Sequence, residues 1–181
     1  MEVVANPDTI RTAPPSSPEE FRSLMAGFPT GVAIVTAVDR NGRPWGMTCS
    51  ALCSVSVDPP TLAVGMRAES PTLRAALESD AFTVNLLHAQ GRSAAELFAS
   101  GAPDRFDSTE WSMPEHAAGP HLTEAAHAVA DCRITQIVVV GEKRMVFGEV
   151  FRVSRLADDD PLLYGSRRYG TWSATQPRSH R

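Results

Sequence analysis

An unbroken alternation of side-chain types from Met47 to Val57 constrains the fold of this chain more than any other feature. Odd positions carry Met, Cys, Ala or Val, and even positions carry Thr or Ser with Leu52 as the exception. Successive side chains in a β-strand point to opposite faces, so the pattern predicts one face toward a core and one lined by hydroxyls. Because Leu52 interrupts the hydroxyl row, we expect a turn between two short strands there.

A face of small hydroxyl side chains has two interpretations. It lets a flat ligand approach the backbone closely, and its O–H groups and the neighbouring N–H groups can bind carbonyl and phosphate oxygens. An antiparallel strand whose polar face meets solvent shows the same pattern. Periodicity alone therefore predicts a strand and leaves a ligand site open.

Five sequence segments, in a fixed order along the chain, are more informative about the protein family than the alternation. They are PTGVAIVT at 29–36, GRPWGMTCSALCSVSVDPP at 42–60, AFTVNLL at 81–87, GEV at 148–150 and PLLY at 161–164. In this order they resemble the flavin reductase-like split-barrel family, and the resemblance spans residues 19–170. The run from Gly46 to Pro60 is its most specific part.

The resemblance implies a mainly β (α+β) fold, a split β-barrel of the flavin reductase/FMN-binding type with short peripheral helices. The residues agree, because many strands with only short helices favour a barrel over a parallel sheet. Predicted strands are Val32–Val38, Thr61–Met66, Ala81–Leu87, Ala128–Val140 and Met145–Val153, with a short extended piece at Pro161–Tyr164. Predicted helices begin at Pro18, run from Pro71 to Glu78 and run from Ser93 to Ala99.

The first helix has a clear start signal. Ser17, Pro18 and Glu20 supply an N-cap, a proline in the first turn and a capping-box glutamate. Phe21, Leu24, Met25 and Phe28 follow at helical spacing. We therefore expect this apolar face to pack on the body of the protein.

Size and composition indicate one domain over residues 17–172, with flexible tails at 1–16 and 173–181. A net charge of −4 without Lys/Arg runs argues against binding to nucleic acid or an anionic membrane. No apolar stretch has the length of a membrane helix, and no leader is apparent, so a cytoplasmic protein is expected. The three cysteines are expected to be reduced and mostly buried, and no spacing predicts a metal site.

The resemblance also places a flavin. The ring and ribityl chain are expected along the alternating segment, with Ser54 extending the contact toward the phosphate; Trp45 could wall the ring or pack in the core. Expected contacts from this segment are Trp45, Gly46, Met47, Thr48, Cys49, Ser50, Ala51 and Ser54.

Further flavin contacts are expected from three other places. A helix start at Arg67, Ser70 and Thr72 suits a phosphate, although Ser70 could simply cap the helix. Asn85 matches a family position near the flavin, although an Asn in an apolar strand also suits a buried hydrogen-bond network. By resemblance, Arg105 and Phe106 stand for the family's Asp–Lys–Phe, with a salt-bridged loop as the alternative.

The nicotinamide side departs from the family pattern. Lys143 and Gly165 stand where many relatives carry histidines, which leaves Lys143, Arg168 and Tyr169 as candidate contacts to a dinucleotide. No GxGxxG, GxxxxGK[ST], HExxH or GxSxG motif is present. No catalytic side chain is predicted, because a flavin itself carries out hydride transfer.

The predicted function is an NAD(P)H-dependent flavin reductase, an enzyme that passes hydride from NADH or NADPH to FMN or FAD. The resemblance further implies a homodimer and a partner monooxygenase that receives reduced flavin. Two alternatives stay open: a protein that binds flavin or another flat ligand without reductase turnover, and an oxidoreductase that uses a tightly held flavin on an organic substrate.

Overall fold

The computed structural model describes residues 14–172, so the predicted tails lie largely outside the described residues. Three α-helices and one short 3-10 helix, Ala89–Gly91, occur in this range. The α-helices are α1 (Pro18–Ala26), α2 (Pro71–Ser79) and α3 (Arg92–Ser100). None of the helices within 14–172 is long and apolar enough to cross a membrane.

Ten strands form two antiparallel sheets, which confirms the predicted mainly β fold. The strands are β1 (Thr30–Gly31), β2 (Ala33–Val38), β3 (Pro44–Cys49), β4 (Leu52–Val57), β5 (Pro60–Arg67), β6 (Ala81–Leu87), β7 (Ala126–Val140), β8 (Lys143–Arg155), β9 (Leu162–Gly165) and β10 (Arg168–Thr171). The seven-stranded sheet has the order β3-β2-β6-β7-β8-β5-β4, and the three-stranded sheet has the order β1-β9-β10.

The large sheet curls without closing. β3 and β4 are its two edges, yet the chain passes from one to the other through only Ser50 and Ala51. At that crossing the Gly65 N–H donates to the Ala51 carbonyl at 2.8 Å, and the Cys49 thiol lies 3.8 Å from the Gly65 carbonyl. The sheet therefore does not close into a continuous hydrogen-bonded barrel, although β3 and β5 come close together at this point. The turn predicted at Leu52 lies at Ser50 and Ala51 instead.

The core lies on both sides of β2, whose sequence AIVTAV is apolar on both faces. Val35 joins a buried cluster with Leu73 of α2 and Phe82 of β6. Ile34, on the opposite face, joins a second cluster with Phe98 of α3. Helices on the two faces of this strand thus explain why it lacks the alternation of a half-buried strand.

A segment without regular structure is fixed to the sheet by buried polar groups. Asp131 accepts hydrogen bonds from Thr83 Oγ1 at 2.7 Å and from the Ala118 N–H at 3.0 Å, and His121 Nε2 lies 3.1 Å from both its oxygens. Burial tends to raise the pKa of Asp131, but the hydrogen bonds from His121, Thr83 and Ala118 outweigh it and hold that pKa below its ordinary value. Residues 112–124 have no strong sequence pattern, and their contacts with this carboxylate explain their position.

Two expectations about burial are wrong. The capping box of α1 forms as predicted, but its apolar face is not packed: Phe21 is 56% exposed and Leu24 is 71% exposed. In β4 the residues expected in the core face outward, with Val57 90% exposed and Cys53 exposed. Both elements lie at the periphery, where no other described element covers them.

Candidate functional site

A cleft of about 620 Å³ lies along β3, and we call it the β3 cleft. Its walls come from the start of α2, the end of α3, the loop that follows α3 and the first residue of β8. Residues predicted as flavin or dinucleotide contacts that line it are Trp45, Gly46, Met47, Thr48, Cys49, Ser50, Ala51, Arg67, Ser70, Thr72, Arg105 and Lys143. It has the size of an ordinary small-molecule site.

The absence of a side chain at Gly46 allows β3 to lie directly on two aromatic rings. A Cβ at this position would be 2.7 Å from Phe98 Cε1 and 3.1 Å from Phe106 Cζ. Those rings pack edge to face, with 5.1 Å between their centroids. Gly46 therefore allows β3 to pack closely against α3 and the loop that follows it.

Trp45 is held rigidly at one end of the cleft. Its Nε1 donates to the Asp39 carboxylate at 3.1 Å, and the Arg43 guanidinium lies 4.7 Å from the ring centroid. The hydrogen bond from Trp45 is the largest cause that lowers the pKa of Asp39. Trp45 is partly buried, packs against the core cluster around Val35 and also lines the cleft.

The hydroxyls of the cleft use their protons on the protein. Thr48 Oγ1 donates to the Ala95 carbonyl of α3 at 2.6 Å, which leaves oxygen lone pairs as acceptors. Ser70 Oγ lies 3.3 Å from Met47 Sδ and does not cap α2. The capping alternative for Ser70 is therefore wrong, and the first N–H groups of α2 have no side-chain cap where the helix meets the cleft.

Arg105 is the one residue of the cleft with an unsatisfied buried donor. It is 8% exposed, and its Nη1 donates to the carbonyls of Gly101 at 3.2 Å and Ala102 at 2.6 Å. Its Nε is buried and has no hydrogen-bond partner among residues 14–172. Burial, followed by the charge of Arg43, lowers the pKa of Arg105. A buried donor without a partner in a ligand-sized cleft fits an anionic ligand such as a flavin phosphate.

The structure does not bring five predicted contacts to this cleft. Ser54 is exposed on β4, which pairs at the far edge of the sheet. Phe106 lies beneath Gly46 and supports the cleft from behind. Arg168 and Tyr169 lie on β10, where the Tyr169 ring packs against Tyr164 at 5.2 Å.

Asn85 is the fifth, and its hydrogen-bonding capacity is already used. Its Nδ2 donates to Ile34 O, Thr36 Oγ1 and Pro120 O, and its Oδ1 accepts from the Leu122 N–H at 2.8 Å. It is fully buried. The structural network, which the sequence left open as an alternative, is the role the contacts support.

A second cleft, of about 580 Å³, was not anticipated from the sequence, and we call it the α1 cleft. It adjoins the β3 cleft because both are lined by Ser50 and Ala51. Its other lining residues are Phe21, Arg22, Met25, Ala26, Phe28, Thr30, Tyr164, Gly165 and Arg167. The exposed apolar face of α1 is therefore one wall of a cleft.

The packing of Gly165 explains one departure from the family pattern. A Cβ there would be 3.0 Å from Pro29 Cβ and 3.1 Å from Pro29 Cα. A side chain at this position, such as the histidine that the family resemblance would suggest, would need the chain around Pro29 to move. Within residues 14–172, no group of three or more His, Cys, Asp or Glu side chains is arranged to hold a metal ion.

These features define a small open-sheet protein with a cleft suited to a flat ligand that carries negative charge. The flavin reductase like domain matches residues 25–173, and the chain belongs to that family. The resemblance inferred from the sequence motifs is thereby confirmed.

Two curated relatives illustrate the family. The chain is 47% identical over 154 residues to "Flavin reductase (NADPH)" of Lentzea aerocolonigenes, covering 85% of this chain and 89% of the relative. It is 30% identical over 152 residues to "Flavin-dependent monooxygenase, reductase subunit HsaB" of Rhodococcus jostii strain RHA1, covering 84% and 76%. A solved structure with a TM-score of 0.82 and 26% identity, covering 91% of this chain and all of the other, is Streptomyces globisporus C-1027 NADH:FAD oxidoreductase SgcE6 in complex with NAD and FAD fragments.

Proposed function

We propose that this protein is an NAD(P)H-dependent flavin reductase that binds FMN or FAD in the β3 cleft. The observation that carries the proposal is the buried, unpartnered Nε of Arg105 in a cleft along β3, in a chain of the flavin reductase-like family. The chemistry that a flavin supplies when bound is acceptance of a hydride from a nicotinamide. The protein's own task is to bind and orient the two cofactors.

The residues of β3 are suited to hold the ring. Gly46 brings β3 close to Phe98, Trp45 bounds one end, and Thr48 offers acceptor lone pairs. Ser50 and Ala51 lie outside the ladder between β3 and β4, and apart from the Ala51 carbonyl, which accepts from the Gly65 N–H, their backbone polar groups can serve a ligand.

The phosphate end is expected among the cations of the cleft. Arg67, Arg105 and Lys143 line it together with a single acidic residue, Glu69. The uncapped start of α2 adds N–H groups and the positive end of a helix dipole. This combination attracts a phosphate.

A homodimer would cover the apolar surface that the single chain exposes. The outer parts of β7 and β8 carry Val139 at 66% exposed and Val153 at 67%, and Phe151 is also exposed. An exposed apolar area of this kind is typical of an interface between copies. We expect light scattering to give twice the chain mass, and a Val139→Asp/Val153→Asp variant to shift toward the monomer.

A monooxygenase is the suggested partner, because relatives include a reductase subunit of a flavin-dependent monooxygenase. In this role the protein would deliver reduced flavin to a separate oxygenase. The reductase step can be tested without the oxygenase.

An anaerobic titration tests the proposal. With FMN or FAD present, addition of NADH or NADPH should bleach the flavin absorbance near its visible maximum in stoichiometric amounts. A yellow protein whose flavin stays oxidised with both nucleotides would instead favour binding without turnover, which the replacements at Lys143 and Gly165 motivate. Bleaching that requires an added organic substrate would favour a tightly held flavin in another oxidoreductase.

A further inference from the structure

We propose that the α1 cleft binds the adenosine half of NADPH, with Arg22 and Arg167 holding its 2′-phosphate, so that the protein prefers NADPH to NADH. The inference rests on the proposed reductase function and names which dinucleotide that function uses.

The position of the α1 cleft suits a ligand that must reach a flavin on β3. The two clefts meet at Ser50 and Ala51, the residues that connect β3 to β4. A nicotinamide placed over the β3 side of this boundary leaves the rest of the dinucleotide to extend across it. The α1 cleft is the neighbouring space of sufficient size, at about 580 Å³.

The charges of the α1 cleft favour a phosphomonoester over a ribose diol. Its two charged lining residues are both arginines, Arg22 and Arg167, and no Asp or Glu lines it. A carboxylate is the usual partner of the 2′-hydroxyl of NADH, whereas guanidinium groups match the oxygens of a 2′-phosphate. Within residues 14–172 neither arginine forms an ion pair, so both charges are available.

The turn that carries Arg167 has an unusual backbone. Ser166 and Arg167 form the two-residue connection between β9 and β10, with φ of 50° and 59°. Asn-Gly is the common choice for such a turn, because side chains other than those of Gly, Asn and Asp are disfavoured at positive φ. Strain of this kind is retained where the surrounding structure requires it and is concentrated at functional sites.

Contacts from the same turn hold it against α1. The Ser166 N–H donates to the carbonyl of Ala26, the last residue of α1, at 2.6 Å, and Gly165 packs closely on Pro29. These contacts fix the β9–β10 turn and the end of α1 to each other. Arg167 on the turn and Arg22 on the helix therefore line one cleft.

Aromatic side chains complete a surface for a purine. Phe21, Phe28 and Tyr164 line the same cleft and are 56%, 62% and 39% exposed. Exposed rings in a ligand-sized cleft offer faces on which an adenine can stack. A flat apolar group beside a dianion is the chemistry of the adenosine 2′-phosphate end of NADPH.

Binding of a nucleotide fragment tests the proposal without relying on turnover. Titration calorimetry with the full-length protein would compare adenosine 2′,5′-bisphosphate with adenosine 5′-monophosphate. The wild type should bind the bisphosphate at least ~10-fold more tightly, because each charge-assisted contact is worth roughly 1.5–3 kcal/mol, which corresponds to about 10-fold or more. Arg22→Gln and Arg167→Asn should each remove about 10-fold of that preference. Asn tolerates positive φ, so Arg167→Asn removes the charge and leaves the turn intact.

Steady-state kinetics gives the second measurement. The kcat/KM ratio of NADPH to NADH should exceed ~10 in the wild type and fall by about 10-fold in each variant, with KM for NADPH carrying the change. Arg155→Gln, at the exposed end of β8 and outside both clefts, is the matched loss of one charge and should leave the ratio unchanged.

Several results would overturn the proposal. Equal increases of KM for both nucleotides would assign the arginines to the pyrophosphate that NADH and NADPH share. Equal affinity for the two adenosine phosphates would remove the 2′-phosphate site altogether. Failure of flavin reduction with both nucleotides would count against the reductase function instead. The calorimetry would still decide whether this cleft binds a 2′-phosphate.

Discussion

β3 and β4 come from one alternating run of residues, yet β3 is covered by other elements and β4 is exposed. β3 lies beneath α3 and beside the start of α2, and its side chains line the β3 cleft. β4 pairs only with β5 at the far edge, and Val55 and Val57 are 50% and 90% exposed. The alternation determines that both segments are strands, but segments distant in sequence determine which of them is covered.

The difference between the two strands shows that residues outside the alternating run help to form the binding site. Phe98 of α3 and Phe106 of the following loop pack against Gly46, and Arg105 lines the same cleft. None of these residues belongs to the alternating run. A hydroxyl-bearing strand becomes a candidate flavin site only where residues of α3 and the loop after it pack against the strand.

The largest expected contrast between the strands is in thiol reactivity. Burial raises the pKa of Cys49 on β3, and burial raises that of Cys132 to about 12, whereas Cys53 on β4 is exposed. Cys53 should react with a maleimide at least ~10³-fold faster than Cys49, because a buried thiol reacts only after local opening. At pH 8.5 Cys49 should still be mostly protonated and slow, since its pKa lies above the ordinary thiol value of about 8.5. Peptide mass spectrometry over time would measure this, and labelling of Cys49 and Cys53 in one phase would contradict the contrast.

Substitution of one residue on each strand by valine compares how tightly the two strands are packed. Gly46→Val should lower the free energy of unfolding by about 2 to 3 kcal/mol, because its Cβ would be 2.7 Å from the Phe98 ring. Ser54→Val on the exposed strand should change it by less than about 0.5 kcal/mol. Urea denaturation measures both, and equal effects would mean that β3 is not the covered strand.

Removal of the unpartnered donor sharpens the assignment of the phosphate. Arg105→Gln should weaken binding of FMN by about 10-fold and change binding of riboflavin by less than about 2-fold, because riboflavin lacks the phosphate. Arg105→Lys should recover part of the FMN affinity, since it restores the charge without the fork of donors. A parallel loss for both flavins would show that Arg105 acts on the ring side or on folding.

The smallest expected effect concerns the hydroxyls. Thr48→Val removes the donor to the Ala95 carbonyl and should cost about 1 kcal/mol of stability, with a few-fold weaker binding of FMN. Ser54→Ala should alter neither quantity measurably, because its side chain is exposed on β4. Fluorescence titration with FMN measures the binding, and a larger loss at Ser54 than at Thr48 would restore the original prediction that both halves of the run bind the flavin.

Much of the fold was predictable because its signals are local. Ala81–Leu87 was predicted to the residue, and the N-cap of α1 and the end of α3 at Gly101 follow from known cap chemistry. β10 was missed because its sequence RYGT is short and follows a turn built without glycine. The open order of the sheet was missed because strand pairing depends on contacts between distant residues.

The site was predictable along β3 and less so beyond it. The family motif located Trp45 to Ala51, and the cleft contains all of them. The sequence left two roles open for Asn85 because its partners, Pro120 and Leu122, come from a segment without a readable pattern. The α1 cleft was missed because an amphipathic helix normally indicates burial, whereas here its apolar face borders open space.

A crystal structure of the protein with bound FMN would locate the flavin ring. We expect the isoalloxazine against Gly46 to Ala51, with the phosphate within hydrogen-bond distance of Arg105 or the first N–H groups of α2. A ring seated in the α1 cleft, or outside both clefts, would contradict it.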